Sequence, residues 1–335
     1  MTSFDDNFAN PPDQSSTSQP GPSNPSEPSE TDATGAPLAG DPLSYTFAPS
    51  RIPYSQRPEV PEDLRISWSW VHLLCFFLFA FVVLTLVPTL MAIPYIQGKH
   101  LRPERLQNYL YSIPEFVVGS TFAVFALVLF FLYVTLSVLP GKSFWHTLGW
   151  RKLIPPAANP SSKLATKPWL YLFSGAALAL LTSVAGSRVH TPDDMPIEFL
   201  LKSRIGAMLM MAMAVAVAPL VEETVFRGYL YAVLVRIVSS ILRFFDVESA
   251  RAIRIGVVCS IVLTGVAFGL VHGAQLAWTW GIVSLLILVG ITFTYVRART
   301  GTVFASFLMH LGYNSLIAFV TVAGTHGFTK MLPHP

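Results

Sequence analysis

Seven apolar runs, each long enough to cross a hydrocarbon layer, dominate the chain from residue 69 onward and leave few folds open. They extend roughly from Ser69 to Ile93, Phe116 to Leu139, Pro168 to Ala185, Ile205 to Val235, Ile255 to Val271, Leu276 to Val296 and Val303 to Val322. A bilayer core is crossed by ~20 helical residues. Inside it every backbone N–H and C=O has to be satisfied by the segment itself. The runs therefore predict an all-α fold, a polytopic transmembrane helical bundle of about seven spans. Composition agrees, with 52% hydrophobic and only 12% charged residues, against about 25% charged in soluble domains. The loop between the fifth and sixth runs is short enough to make them a hairpin. Trp68, Trp70, Trp145, Trp150, Trp169, Trp278 and Trp280 all fall near the ends of runs, where amphipathic indole rings meet the headgroup layer.

The first 66 residues differ in kind. Residues 1–50 hold seven acidic side chains, no Lys or Arg, and a heavy load of Pro, Ser, Thr and Gly. Such a stretch cannot bury enough apolar surface to offset its ordering entropy. Residues 1–66 are therefore expected to be a disordered, Pro/Ser-rich acidic tail with a juxtamembrane segment, and 67–325 the transmembrane helical domain. The chain start has neither the basic region nor the apolar core of a signal peptide.

Around the seven runs, Lys and Arg divide 14 to 7 in favour of the side that carries the N-terminal region and the loops after runs two, four and six. The positive-inside bias then places the N-terminus in the cytoplasm, in a plasma or inner membrane. A net charge of +3 is too small to imply a nucleic acid partner. Cys75 and Cys259 both lie in apolar runs and are expected to be buried free thiols. The segment from Gly141 to Leu153 sets Phe144, Trp145, Leu148 and Trp150 among Lys142, Arg151 and Lys152. It suits either a helix lying in the interface or an ordinary basic loop.

Three polar motifs interrupt the late runs: Glu222-Glu223-x-x-x-Arg227 in the fourth, Phe268-x-x-x-His272 ending the fifth, and His310-x-x-x-Asn314 in the seventh. Ionisable side chains at bilayer depth are costly, so they mark a functional site by default. Glu223 and Arg227 are four apart, share one helix face and can pair. Glu222 is rotated by about 100° from Glu223 and is left to face a cavity as general base. Pro219, three residues before the acidic pair, removes a helix hydrogen bond and introduces irregularity. The Gly265-x-x-x-Gly269 face of the fifth run allows tight helix contact just before His272, and Gly228 allows a close approach beside Arg227. Phe268 lies one turn before His272 and shields one side of its ring. His310 and Asn314 project on one face of the seventh run, suited to donating hydrogen bonds to a developing oxyanion. On this reading, loss of Asn314 affects rate rather than folding. His72, His100, His146, His190, His326 and His334 show no partners in the sequence.

These motifs, in this order and on successive late runs, resemble the CAAX-processing and bacteriocin-processing membrane proteases, the family of the type II CAAX prenyl endopeptidases. The resemblance covers about residues 168–322, and the double glutamate with its trailing Arg227-Gly228 is its most specific part. It implies an intramembrane endopeptidase in which Glu222 and His272 activate water, His310 and Asn314 stabilise the oxyanion, and Glu223, Arg227 and Phe268 support the site. The implied partners are the lipid bilayer and a membrane-associated peptide or protein substrate that carries a lipid in the prenyl-processing members.

The metal question divides the reading. Glu222, Glu223, His272 and His310 could supply four ligands to zinc. Zinc peptidases, however, typically place two histidines one turn apart on one helix. Here His272 and His310 sit on separate runs, which favours metal-free catalysis with no cofactor and leaves zinc as the alternative. Two other function classes compete. A transporter would carry polar residues in both halves and an internal repeat, and runs one to three hold almost no charge. A catalytically silent scaffold would not need all six polar motif residues.

Overall fold

The computed structural model describes residues 60–99, 102–155, 163–190 and 203–328, so the acidic tail up to residue 59 lies outside the described residues. Among them there are no strands. Seven helices are long and apolar enough to span: Trp70–Ile96, Pro114–Val138, Pro168–Gly186, Arg204–Phe244, Ser249–Val271, Trp280–Thr300 and Val303–Gly324. The chain folds as an all-helical integral membrane protein. Outward faces remain apolar, as lipid contact demands: the first span buries only Leu73, Phe76, Val83 and Ala92 of its 27 residues.

Several span boundaries differ from the sequence reading. The fourth helix runs on to Phe244 rather than Val235, and the fifth begins at Ser249 rather than Ile255. The charged residues Arg236, Arg243, Arg251 and Arg254 had been assigned to a loop, yet helices continue well past the bilayer when they have a partner to pack on. The fourth helix has 41 residues, about 61 Å of rise against a hydrocarbon core of ~30 Å. Its last turns therefore leave the core packed against the fifth span, where a Cβ on Gly256 would overlap Ser239. The sixth span begins at Trp280 rather than Leu276 because the chain after His272 makes a tight 3-10 turn over Ala274–Leu276. The turn is closed by Ala277 and Trp278 at φ of 48° and 54°. That turn makes the fifth and sixth spans the expected hairpin.

The small-residue face of the fifth span packs on the sixth. Cβ atoms on Gly265 and Gly269 would strike Ile291 and Ile287, and one on Gly290 would strike the backbone of Gly265. The bundle core gathers Trp68, Phe76, Leu132, Leu148, Tyr229 and Val233 in one cluster and Tyr171, Phe293, Met309 and Tyr313 in another.

The Gly141 to Leu153 segment is neither an interfacial helix nor a free loop. It has one helical turn, Phe144–Thr147, and then dives into the bundle. Leu148 is buried, the Gly149 carbonyl accepts from Val303 N at 2.9 Å, and Trp150 Nε1 donates to Thr224 Oγ1 at 3.2 Å. The juxtamembrane segment is also docked. Asp63 Oδ2 accepts from Arg297 Nη1 at 2.8 Å, with Arg297 fully buried, and Glu62 pairs with Arg151 at 3.1 Å. Cys75 and Cys259 are free thiols, but Cys75 is exposed on an outward face rather than buried, and Cys259 is half-buried.

Candidate active site

The fourth span is not a uniform α-helix. A π turn occupies Met213–Val217 and a longer one Thr224–Leu230, on either side of the α-helical Ala218–Glu223 that carries the acidic pair. Such insertions are rare and cluster at functional sites. In the first of them Ala218 N–H bonds to Met213 O. The carbonyl of Ala214 would then look to residue 219, a proline with no N–H. Asn314 fills the gap, its Nδ2 donating to Ala214 O at 2.7 Å. One side chain thus repairs the backbone position that Pro219 leaves open.

Glu223 and Arg227 are fully buried and paired, Nη1 donating to Oε1 at 2.9 Å. A buried guanidinium needs all its N–H groups placed. Nε donates to Thr294 Oγ1 at 3.2 Å and Nη2 to Gly290 O at 3.0 Å, both on the sixth span. The guanidinium carbon also lies 4.4 Å from the centroid of Phe268 and 5.3 Å from that of Phe293, within cation–π range.

Glu222 stands apart from this network. Its two oxygens face two imidazoles: Oε1 is 3.8 Å from His272 Nε2, and Oε2 is 3.8 Å from His310 Nε2. Its side chain is 15% exposed, and those of His272 and His310 are 22% and 5% exposed. Glu222 and His272 thus keep an accessible face while Glu223 is fully enclosed by protein. Each imidazole is oriented from behind. His272 Nδ1 lies 2.7 Å from Phe268 O, which can only accept, so that nitrogen donates and Nε2 is the one turned towards Glu222. His310 Nδ1 lies 3.0 Å from Glu223 Oε1. Phe268 packs on both imidazoles, with centroids 4.9 Å and 5.8 Å away, and Phe293 lies tilted against His310 at 4.8 Å.

Six of the seven residues expected at the site lie in mutual contact, with Glu222 between the two histidines. Asn314 is held one turn from His310, committed by one N–H to Ala214. The sequence reading missed Thr294, Gly290 and Phe293, which hold the guanidinium and His310. A hydroxyl four residues after a glycine in an apolar span was the available signal. It also passed over His72, whose Nδ1 lies 2.7 Å from the hydroxyl of Tyr229, two residues after Arg227. His146 is likewise not alone, lying 4.0 Å from Glu62. At Gly228 the close approach comes from a loop rather than a helix: a Cβ there would come within 2.9 Å of Leu148 O.

Of the four residues that could supply zinc ligands, Glu223 is the one already engaged by other side chains. Oε1 of Glu223 is shared by Arg227 and His310, so its carboxylate serves as an internal counter-charge. Among the described residues, no three His, Cys, Asp or Glu side chains converge closely enough to hold a metal ion.

Asn314→Ala is expected to have a cost in folding that the sequence reading did not foresee. An orphaned buried acceptor costs ~1–3 kcal/mol, so the variant should melt earlier in detergent than wild type. An unchanged melting temperature would show that Ala214 O finds another donor.

Residues 204–316 match the family model described as Type II CAAX prenyl endopeptidase, Rce1-like. The matched stretch contains every motif residue and leaves spans one to three outside. Searches of curated proteins and of solved structures returned no match.

Proposed function

We propose that the chain is a working member of the type II CAAX prenyl endopeptidase family that its residues 204–316 match, an intramembrane endopeptidase acting on membrane-associated substrates. The observation that carries the reading is the separation of two adjacent glutamates. Glu223 is neutralised by Arg227 at 2.9 Å, while Glu222 faces His272 and His310 at 3.8 Å each. Water taken up beside Glu222 and His272 loses its proton to the carboxylate and attacks the scissile carbonyl. The proton then passes to the departing amine.

His310 and Asn314 stabilise the tetrahedral oxyanion. Carboxylates face both nitrogens of His310, so a doubly protonated ring would serve Glu223 through Nδ1 and present an N–H from Nε2 to the developing charge. Asn314 keeps a second amide N–H beyond the one given to Ala214. A donor of this kind contributes ~10²–10³ in rate. Asn314→Ala is therefore expected to lower turnover per folded molecule in addition to stability.

The reaction is metal-free in this reading, and activity is expected to survive thorough chelation. Loss of activity on chelation, restored by stoichiometric zinc, would overturn it. The N-terminus lies in the cytoplasm of a plasma or inner membrane, by the Lys and Arg distribution, and substrates carry a lipid that holds their tail at the surface. The direct test is cleavage of a prenylated C-terminal peptide, beside the same peptide without its lipid, by the full chain in vesicles. No cleavage of any membrane-bound peptide, and no difference in C-terminal fragments between membranes with wild type and with Glu222→Gln, would refute the assignment.

A further inference from the structure

One oxygen of the buried carboxylate is left over. Glu223 Oε1 lies 2.9 Å from Arg227 Nη1 and 3.0 Å from His310 Nδ1, while Oε2 is closed off from solvent and has no aligned donor. A carboxylate oxygen that leaves water without gaining a hydrogen bond is costly. The group that can supply the bond is on the seventh span. Ser306 lies one turn before His310, on the same helix face, and is fully buried. Its hydroxyl is within hydrogen-bonding reach of the Glu223 carboxylate, although it turns instead to Val303 O at 3.0 Å.

The two acceptors are unequal. Val303 is the first residue of the seventh helix, and a helical carbonyl accepts the N–H four residues on. A bond back from Ser306 is thus a second bond to an acceptor already served. Glu223 Oε2 has none and carries charge, and hydrogen bonds to an ionised acceptor are roughly twice as strong as neutral ones. A rotation of the Ser306 side chain carries its proton from one to the other. The orientation of His310 depends on that carboxylate. Phe268 and Phe293 pack on its ring at 5.8 Å and 4.8 Å, but a phenyl group cannot fix where its nitrogens point. Only the Nδ1 contact to Glu223 does that, with Nε2 3.8 Å from Glu222 Oε2. We propose that Ser306 is a positioning residue of the hydrolytic site: its hydroxyl is a third donor to Glu223, and it fixes the carboxylate so that His310 Nε2 stays aimed at Glu222 and the oxyanion. The effect on rate rests on the protease reading, whereas the hydrogen bond itself does not.

The test takes two readouts from the full chain in vesicles. Cleavage of the prenylated peptide is followed for Ser306→Ala, which removes the hydroxyl, and for Ser306→Thr, which keeps it. Ser306→Ala is expected to lower kcat by roughly tenfold to a hundredfold at unchanged KM, the kind of loss that a small misplacement at a reacting centre brings. Ser306→Thr is expected to recover most of it. Infrared difference spectra of the same membranes without substrate, variant minus wild type, are expected to show a displaced carboxylate stretch for Ser306→Ala and none for Ser306→Thr. An unchanged kcat in Ser306→Ala, a rise in KM alone, or an equal loss in Ser306→Thr at wild-type melting temperature would overturn the positioning role. An unmoved carboxylate stretch in Ser306→Ala would overturn the hydrogen bond. Should wild type cleave no peptide, the protease reading fails and the effect on rate with it, while the carboxylate stretch still decides the bond.

Discussion

Replacing Glu222 with glutamine is expected to abolish hydrolysis while leaving the protein folded. The side chain makes no hydrogen bond to Arg227, and its environment is two imidazoles at 3.8 Å and a partly accessible face. Glutamine keeps the shape and removes only the base. General-base contributions are typically ~10²–10⁴-fold, so vesicle-reconstituted Glu222→Gln should show at most a trace of cleavage at an unchanged melting temperature. Glu223→Gln should show the opposite pattern. It strands the buried guanidinium of Arg227, so the melting temperature falls first and activity follows. A stable, inactive Glu223→Gln beside an active Glu222→Gln would mean that the roles of the two carboxylates are reversed.

Arg227→Ala is expected to produce the largest loss of stability in the molecule. The guanidinium binds Glu223, Thr294 and Gly290 and packs against Phe268. Removing one partner of a buried ion pair costs ~3–5 kcal/mol, because the other is left uncompensated. Low abundance in membranes and early melting in detergent should both follow. Arg227→Lys should recover only part of the loss, since a single ammonium cannot reach partners on two spans in the geometry of a planar fork. Wild-type melting in Arg227→Ala would remove the structural role assigned to the pair.

The spans were legible because twenty apolar residues in lipid admit few conformations. The acidic pair, both motif histidines and Asn314 were legible because each is costly at that depth. What escaped the sequence was set by partners far along the chain. Arg297 was counted among loop charges, yet it is fully buried on Asp63, 234 positions earlier. His72 looked unremarked until Tyr229, 157 positions later, supplied its hydrogen bond. The fourth helix was ended too early and the fifth begun too late because Arg normally marks a membrane face, whereas here two helices carry it outward together. The first π turn left no trace in periodicity, since residues 205–221 are apolar on every side and offer no stripe whose shift could be read. Asn314 could be assigned to chemistry from its position, but its duty to Ala214 depends on a carbonyl orphaned only once the helix widens ahead of Pro219.

The loop that descends onto Gly228 bears on how such a protein can be divided. Leu148 seals the helix beside Arg227, Trp150 holds Thr224, and Asp63 neutralises Arg297 on the span that binds Arg227. All three come from outside residues 204–316, the stretch that carries the family match. That stretch is thus not a transplantable cassette: excised or grafted onto foreign spans, it would expose the flank of its guanidinium and leave a second arginine without a counter-ion. A minimal version for engineering has to start no later than the juxtamembrane segment near Val60 and keep the 148–151 loop intact.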